Sequence, residues 1–378
     1  MSAKPAAFVY STVLENYSYP SEHPFNTIRA KMTFETVKSM GFLNPPGQFL
    51  AKPWPAKRLV LKKFHSARYL HVLEEASDGV WDAEALNMGL GTSDCPVFKG
   101  MFEYAVLAVG ATLTGAQLIL DGKAQVAFNP SGGYHHAHPE RASGFCYIND
   151  NALACILLAE RNKKVLYLDV DVHNGDGVAA AFYDRSDVMT ISLHQNPRTL
   201  FPGTGFEDEI GKGPGRGYCV NVPLPIGTFD EAYMHAINTV VMPLIEAFKP
   251  DVFVFEFGAD ALAGDPLANL MLTNNVYADV IKLLLGFDKP ILMTGGGGYN
   301  VENTVRAWAL GWSVLCGADD GLEQNAGLGG VLLQTTEWSG GLRDRILPVT
   351  SQQRDAVLPT LNDTLDRLKA AIFPLHGL

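Results

Sequence analysis

The 378 residues carry 29 Lys and Arg against 40 Asp and Glu, a net charge of −11, with 47% hydrophobic and 18% charged residues. That balance excludes a broad nucleic-acid-binding surface, which needs clustered positive charge, and leaves ample apolar material for a large α/β core. The five cysteines (Cys95, Cys146, Cys155, Cys219 and Cys316) are scattered and form no C-x-x-C pair, which points to reduced thiols, a cytoplasmic setting and no zinc ribbon.

In chain order, Ala6 to Ser11 reads as a first strand and Ile28 to Met40 as a helix. The stretch from Leu59 to Ala76 reads as a strand end followed by a helix opened at Ser66. Ser93–Asp94–Cys95–Pro96 is a helix-start signal before a long Ala- and Gly-rich helix ending near Leu120. No signal pattern occupies residues 1–20 and no apolar run reaches membrane-spanning length, so a soluble chain without membrane association is expected.

From there apolar runs alternate with helical segments. Gln125–Phe128, Val165–Leu168, Val188–Leu193, Tyr218–Val222, Val252–Phe257 and Ile291–Met293 read as strands. Asn149–Arg161, Gly177–Tyr183, Glu231–Phe248, Val276–Gly286 and Val301–Leu315 read as helices between or after them. Such alternation predicts a mostly parallel sheet covered on both faces, within one domain. Glu337 to Arg345 reads as loop and Leu358 to Phe373 as a closing amphipathic helix.

Ligands of open parallel sheets bind beyond the carboxyl ends of the strands, and each unusual polar cluster here follows such an end. His135 and His136 follow the strand at 125–128, where a turn must present both rings. Asp169, Asp171 and His173 close the strand at 165–168; spaced by two, they face one side of an extended backbone. Asp260 and Asp265 follow 252–257, and four glycines ending in Tyr299 follow 291–293. Two carboxylates and an imidazole aimed at one point call for a cation, although the acids could instead cap the next helix. Asp171, His173 and Asp260 would make a three-ligand site with a coordination position left for water. A neutral histidine beside it suits general base and acid work, with Asp169 and Asp176 at hand to set tautomers. Tyr299 is placed to donate to an oxyanion. Asp260 as a helix cap and the glycine run as a tight turn remain simpler readings, and phosphate binding lacks the P-loop Lys.

These stretches resemble the histone deacetylase family, nearest to its class I branch and to bacterial acetoin-utilisation-type deacetylases. The matching segments are DCPVFKG (94–100), GGYHHAHPERASGFCYIND (132–150), YLDVDVHNGDGV (167–178), LFPGTG (200–205), GADALAGDPL (258–267) and GGGGY (295–299). The resemblance implies a three-layer αβα arginase/deacetylase fold with a central eight-stranded sheet: one domain, core 6–316, then a helical extension 317–378. It implies zinc, with iron(II) as the alternative, on Asp171, His173 and Asp260. His136 with Asp176 would be general base and acid, and His135 with Asp169 would give electrostatic help. Tyr299 would polarise the scissile carbonyl. Phe145 and Phe201, with Gly144 and Leu267, would wall an acyl-lysine tunnel, and Asp94 would hold the substrate backbone at its rim. Asp94 can equally cap the helix after Pro96. A structural potassium ion would lie on Asp169, Asp171, His173, Ser192 and Leu193.

One departure stands out: Asn174 occupies the place where the family usually has a second histidine. The lysine-rich tails of nuclear members are absent, which favours a bacterial cytoplasmic enzyme. Acyl-lysine peptides or proteins are the expected substrates. Small acetylated amines such as acetylpolyamines are the alternative, with oligomerisation left open. An arginase-like enzyme with two manganese ions needs Asp-x-His-x-Asp, and here Asp176 lies three residues past His173. A non-catalytic acyl-lysine binder is disfavoured because every catalytic position is filled.

Overall fold

The computed structural model describes residues 5–319 and 341–378. Its strands are β1 (Ala6–Val9), β2 (Gln48–Ala51), β3 (Val126–Asn129), β4 (Val165–Asp169), β5 (Val188–Gln195), β6 (Cys219–Leu224), β7 (Val252–Glu256) and β8 (Ile291–Thr294). They form one eight-stranded sheet in the order β2-β1-β3-β8-β7-β4-β5-β6, and every neighbouring pair is parallel. The helices are α1 (Ile28–Ser39), α2 (Arg58–Leu61), α3 (Ala67–Ser77), α4 (Ala83–Asn87), α5 (Met101–Leu120) and α6 (Asp150–Ala159). Then come α7 (Asp176–Phe182), α8 (Asp230–Ala236), α9 (Met242–Phe248), α10 (Asn274–Gly286), α11 (Val301–Leu315) and α12 (Ser351–Ile372).

Strict alternation along the strands sorts side chains between two layers. Phe8, Phe128, Leu166, Leu168, Phe253 and Phe255 face a core shared with α1, α8 to α12. Ala7, Ala127, Val165, Tyr167, Val254 and Leu292 face the opposite core, shared with α5, α6 and α7. A sheet buried on both faces reads as continuous apolar runs, which is why seven of its eight strands are legible in the sequence. Helix α5 is apolar and long enough to span a bilayer, yet most of it is packed inside the fold.

Several expectations shift. Edge strand β2 was not anticipated: it has four residues, follows Pro45–Pro46–Gly47 and leaves Leu50 exposed, so no apolar run marks it. The expected strand end at Leu59 is instead one turn of helix, α2, which turns Leu61 into the core with Val60 packed beside it. The helix expected after Pro96 begins only at Met101, behind Gly100 at φ 84°. The helix read across Glu231–Phe248 is broken by a π turn at Ile237–Val241, which accommodates the missing N–H of Pro243. The Ser66 cap is present, accepting Tyr69 N–H at 3.1 Å. The closing helix starts at Ser351, earlier than read, and packs Val357, Leu361, Leu365 and Leu368 on the β6 side of the core. Of the loop read at Glu337–Arg345, residues 337–340 lie outside the described residues and 341–345 are irregular.

Candidate metal centre

Strands β3, β8, β7 and β4 are consecutive in the sheet, so the four polar loops that follow them open side by side at one edge. Their backbones are ordered from below. Asp150, buried at the start of α6, accepts Tyr134 N–H at 2.7 Å and Gly133 N–H at 3.0 Å. Asn149, the cap of α6, donates to the carbonyls of His135 and Ala137, both at 3.0 Å. Two side chains at one helix start thus build the turn that carries His135 and His136.

The expected common aim of Asp169, Asp171 and His173 is only partly met. The strand ends at Asp169, and the backbone bends through 171–173. Asp169 turns to His135, whose Nδ1 lies 2.9 Å from its Oδ2. Asp171 and His173 turn instead to Asp260: His173 Nδ1 is 3.1 Å from Asp171 Oδ1 and 3.0 Å from Asp260 Oδ2. The remaining oxygens are pinned by backbone, Asp171 Oδ2 by Gly297 N–H at 2.6 Å and Asp260 Oδ1 by Val172 N–H at 2.9 Å. Asp260 therefore caps no helix. One oxygen from each acid and one ring nitrogen are left facing each other, all buried and mutually within 4.8 Å.

This set fits a divalent metal. Burial opposes charging His173, but its contacts with Asp171 and Asp260 outweigh that and push it up to about 10. Burial and the neighbouring Asp171 carboxylate raise Asp260 to about 7, while His135 and His173 hold Asp171 well below the usual carboxylate range despite burial. A trio this short of positive charge takes up a proton or a cation, and two oxygens with one imidazole nitrogen are a usual zinc set. Close approach of glycine backbone makes room for it: a Cβ on Gly297 would stand 2.0 Å from Asp260 Oδ2, and one on Gly258 2.1 Å from Asp171 Oδ2.

Beside the trio, His135 and His136 face each other, and Asp176 accepts from His136 Nδ1 at 2.7 Å and from His138 Nε2 at 3.0 Å. Burial and the field of His135 push His136 down to about 4. His135 moves the other way: burial is outweighed by Asp169, Glu256 and Asp171, and its pKa rises well above the ordinary value.

Tyr299 is fixed by its neighbours. Asp265 accepts Tyr299 N–H at 2.7 Å on one oxygen and Leu267 N–H at 2.9 Å on the other, and buried Arg29 donates to Gly298 O at 2.7 Å. Burial raises the Tyr299 hydroxyl well above its ordinary pKa, with Asp260 and Asp171 adding to it, so it keeps its proton. Phe145 stands edge-on to Tyr299 at 5.7 Å, and Phe201 edge-on to His136 at 5.0 Å. Phe145 holds a left-handed backbone, φ 67°, and Gly144 lies so close to the His136 ring that a Cβ would come within 2.2 Å. Asp94 is not a helix cap. Its Oδ2 accepts Gly144 N–H at 2.7 Å, which places a carboxylate beside the Phe145 wall. Ser192 pairs in register with Asp169, and its hydroxyl lies 2.8 Å from His194 Nδ1, on a strand that continues to Leu193.

Three further residues were missed. Glu256 is fully buried, held through Oε2 by Asn151 and Thr294, with Oε1 unpartnered and 3.6 Å from His135 Nδ1. A lone acid within the apolar run VFVFEF was its available signal. His138 stood two residues past the His135–His136 pair, in the same 132–150 segment, whereas Arg29 gave no local signal.

The Histone deacetylase domain matches residues 23–315, which span most of the chain and every residue of the centre. This chain belongs to the histone deacetylase family. Histone deacetylase 8 of Danio rerio is 43% identical over 282 residues, covering 74% of each protein. The Acetoin utilization protein AcuC of Bacillus subtilis (strain 168) is 39% identical over 328 residues, 85% of this chain and 84% of that one. The crystal structure of an HDAC homolog from Aquifex aeolicus superposes with a TM-score of 0.85 at 31% identity, covering 97% of this chain and 100% of that one. An HDAC homolog complexed with SAHA gives 0.86 at the same identity and coverage. Histone deacetylase family membership makes the chain an amidohydrolase, and its parallel eight-stranded sheet is the family's architecture.

Proposed function

We propose that this histone deacetylase family member removes acyl groups from lysine side chains, using one zinc ion held by Asp171, His173 and Asp260. The observation that carries the reading is the convergence of that trio, the opposed His135–His136 pair and Tyr299 beneath the rings of Phe145 and Phe201. That a structurally similar HDAC homolog is complexed with SAHA, a hydroxamate inhibitor, supports an acetylated substrate at this site.

When bound, the metal supplies Lewis acidity to the amide carbonyl and to the attacking water. His136, neutral and oriented by Asp176, takes the proton of that water through Nε2 as the C–O bond forms. The tetrahedral carbon's oxyanion accepts a hydrogen bond from Tyr299. The C–N bond then breaks, His136 returns the proton to the leaving lysine nitrogen, and a carboxylate and a free amine depart. His135, kept positive by Asp169, supports the charge that builds up. Phe145 and Phe201 grip the methylene stem, with Gly144 and Leu267 beside them, and Asp94 receives backbone N–H groups of a peptide at the rim. Asp169, Asp171, His173, Ser192 and Leu193 would hold a potassium ion, whose charge would stiffen the segment that presents the ligands. Ser192 donates its hydroxyl proton to His194, which leaves its oxygen free to accept or to ligate.

The test is a panel of purified protein loaded separately with zinc and iron(II), assayed on acetyl-lysine peptides and on acetylated polyamines. Preferential release of acetate from the peptides supports the proposal. Preference for polyamines replaces it with the small-amine reading, and tight peptide binding without acetate release replaces it with a binding protein.

A further inference from the structure

The loop that carries Phe201 is fastened to the body through the residue next to a metal ligand. Asn174 follows His173 directly and is buried. Its Nδ2 donates to Asn221 Oδ1 of β6 at 3.0 Å, and its Oδ1 accepts the Thr204 hydroxyl at 3.1 Å. The neighbouring Gly205, at φ 92°, lies flat on this amide: a Cβ there would stand 2.6 Å from Asn174 Cγ and 2.5 Å from His194 Nε2. His194 Nε2 donates to Gly205 O at 2.8 Å. Among the described residues, these two side chains make the polar attachments of the 200–205 stretch to the sheet.

Phe201 itself is 45% exposed, and its ring stands 5.0 Å from that of His136 and 6.4 Å from that of His173. A half-exposed ring takes its position from its backbone, which is held by Leu200 packed on the core and by Thr204 on Asn174. We infer that Asn174 is a positioning residue for acyl selection: through Thr204 it sets how far Phe201 closes over His136 and His173. This rests on the acyl-lysine reading above. An amide donates and accepts at once in one orientation. An imidazole at this place needs one tautomer to do so and reaches further into the space that Gly205 fills.

The test uses Thr204→Val, which removes one hydroxyl, keeps the side-chain shape and leaves Asn174 and His173 intact. Hydrogen exchange of residues 198–210 and kcat/KM on acetyl- and butyryl-lysine peptides are measured on the metal-loaded protein. Added methylenes are discriminated by pocket walls by about 10-fold or more, so loosening the wall should raise the butyryl-to-acetyl ratio at least about 5-fold. Exchange across the segment should quicken by about 5-fold as an attachment worth about 1 kcal/mol is lost. Asn174→His should move both readouts the same way. Unchanged exchange overturns the clamp, and faster exchange with the ratio within about 2-fold of the parent overturns its link to acyl selection. A parent inactive on both peptides sinks the acyl-lysine reading and this role with it, whereas an active parent with an unchanged ratio sinks this role alone.

Discussion

His135 and His136 meet Nε2 to Nε2 at 3.0 Å, with ring centres 4.0 Å apart. One proton fits between two such nitrogens, so one ring donates and the other accepts. Asp169 and Asp176 decide which. His135 gives one N–H to Asp169 and the other to His136, while His136 gives its Nδ1–H to Asp176 and accepts on Nε2, the lone pair that must turn from His135 to the water in the proposed reaction. The opposite pKa shifts of the two rings agree with this assignment, and neighbouring titratable groups pushed apart mark an acid and a base.

Asp176→Asn should therefore impair chemistry and leave binding alone. An amide NH2 facing Nδ1 selects the wrong tautomer of His136, and kcat should fall about 10- to 100-fold. KM and metal content should stay near those of the parent. A kcat within threefold of the parent would remove Asp176 from the proposed proton path.

Tyr299→Phe isolates the oxyanion contact. The ring still packs against Phe145, and among the described residues the hydroxyl has no hydrogen-bond partner whose loss would disturb the fold. Losing one aimed donor typically costs about 100- to 1000-fold in kcat. Stopped-flow or endpoint acetate release from the zinc-loaded variant measures it, and near-normal turnover would refute the role.

Most of this site could be read from the chain because its polar residues interrupt apolar strands at their carboxyl ends, and the parallel sheet gathers those ends on one edge. Asp171, His173, Asp260, His135, His136 and Tyr299 all carried that signal, and all six converge. What escaped was set by tertiary contact. Local spacing put Asp94 at a helix start, but its carboxylate belongs to Gly144, fifty residues on. Likewise β2 owes its existence to pairing with β1, since its own four residues are partly exposed and carry no strong pattern.

Metal uptake should release a proton. With His173 at about 10 and Asp260 at about 7, the metal-free trio holds one proton above neutral pH and a second below it, and a cation must displace them. Affinity should accordingly rise about 10-fold per pH unit between pH 8 and 9 and more steeply below 7. Titration calorimetry in buffers of different ionisation enthalpy reads the proton directly. Metal at a hundredfold excess over Kd should add about 2.7 kcal/mol of stability, a shift that Asp260→Ala should abolish. A flat pH dependence with no released proton would contradict the trio as ligand set.

His65 gives a pH dependence far from the chemistry. It is buried, its Nε2 accepts Asn149 N–H at 3.0 Å, and burial pushes its pKa down to about 3. The folded protein therefore holds this ring neutral, while the unfolded chain protonates it near its ordinary value of 6.5. Between those values the unfolded state binds the extra proton, so stability is complete above pH 6.5 and declines as pH falls toward 3. The slope from this one group is about 1.4 kcal/mol per pH unit. His65→Gln keeps an acceptor for Asn149 N–H and removes the titration. Urea melts of parent and variant from pH 7 to 4.5 should show the parent losing stability more steeply by up to that amount. Parallel curves would mean that His65 is charged in the folded state or neutral in both.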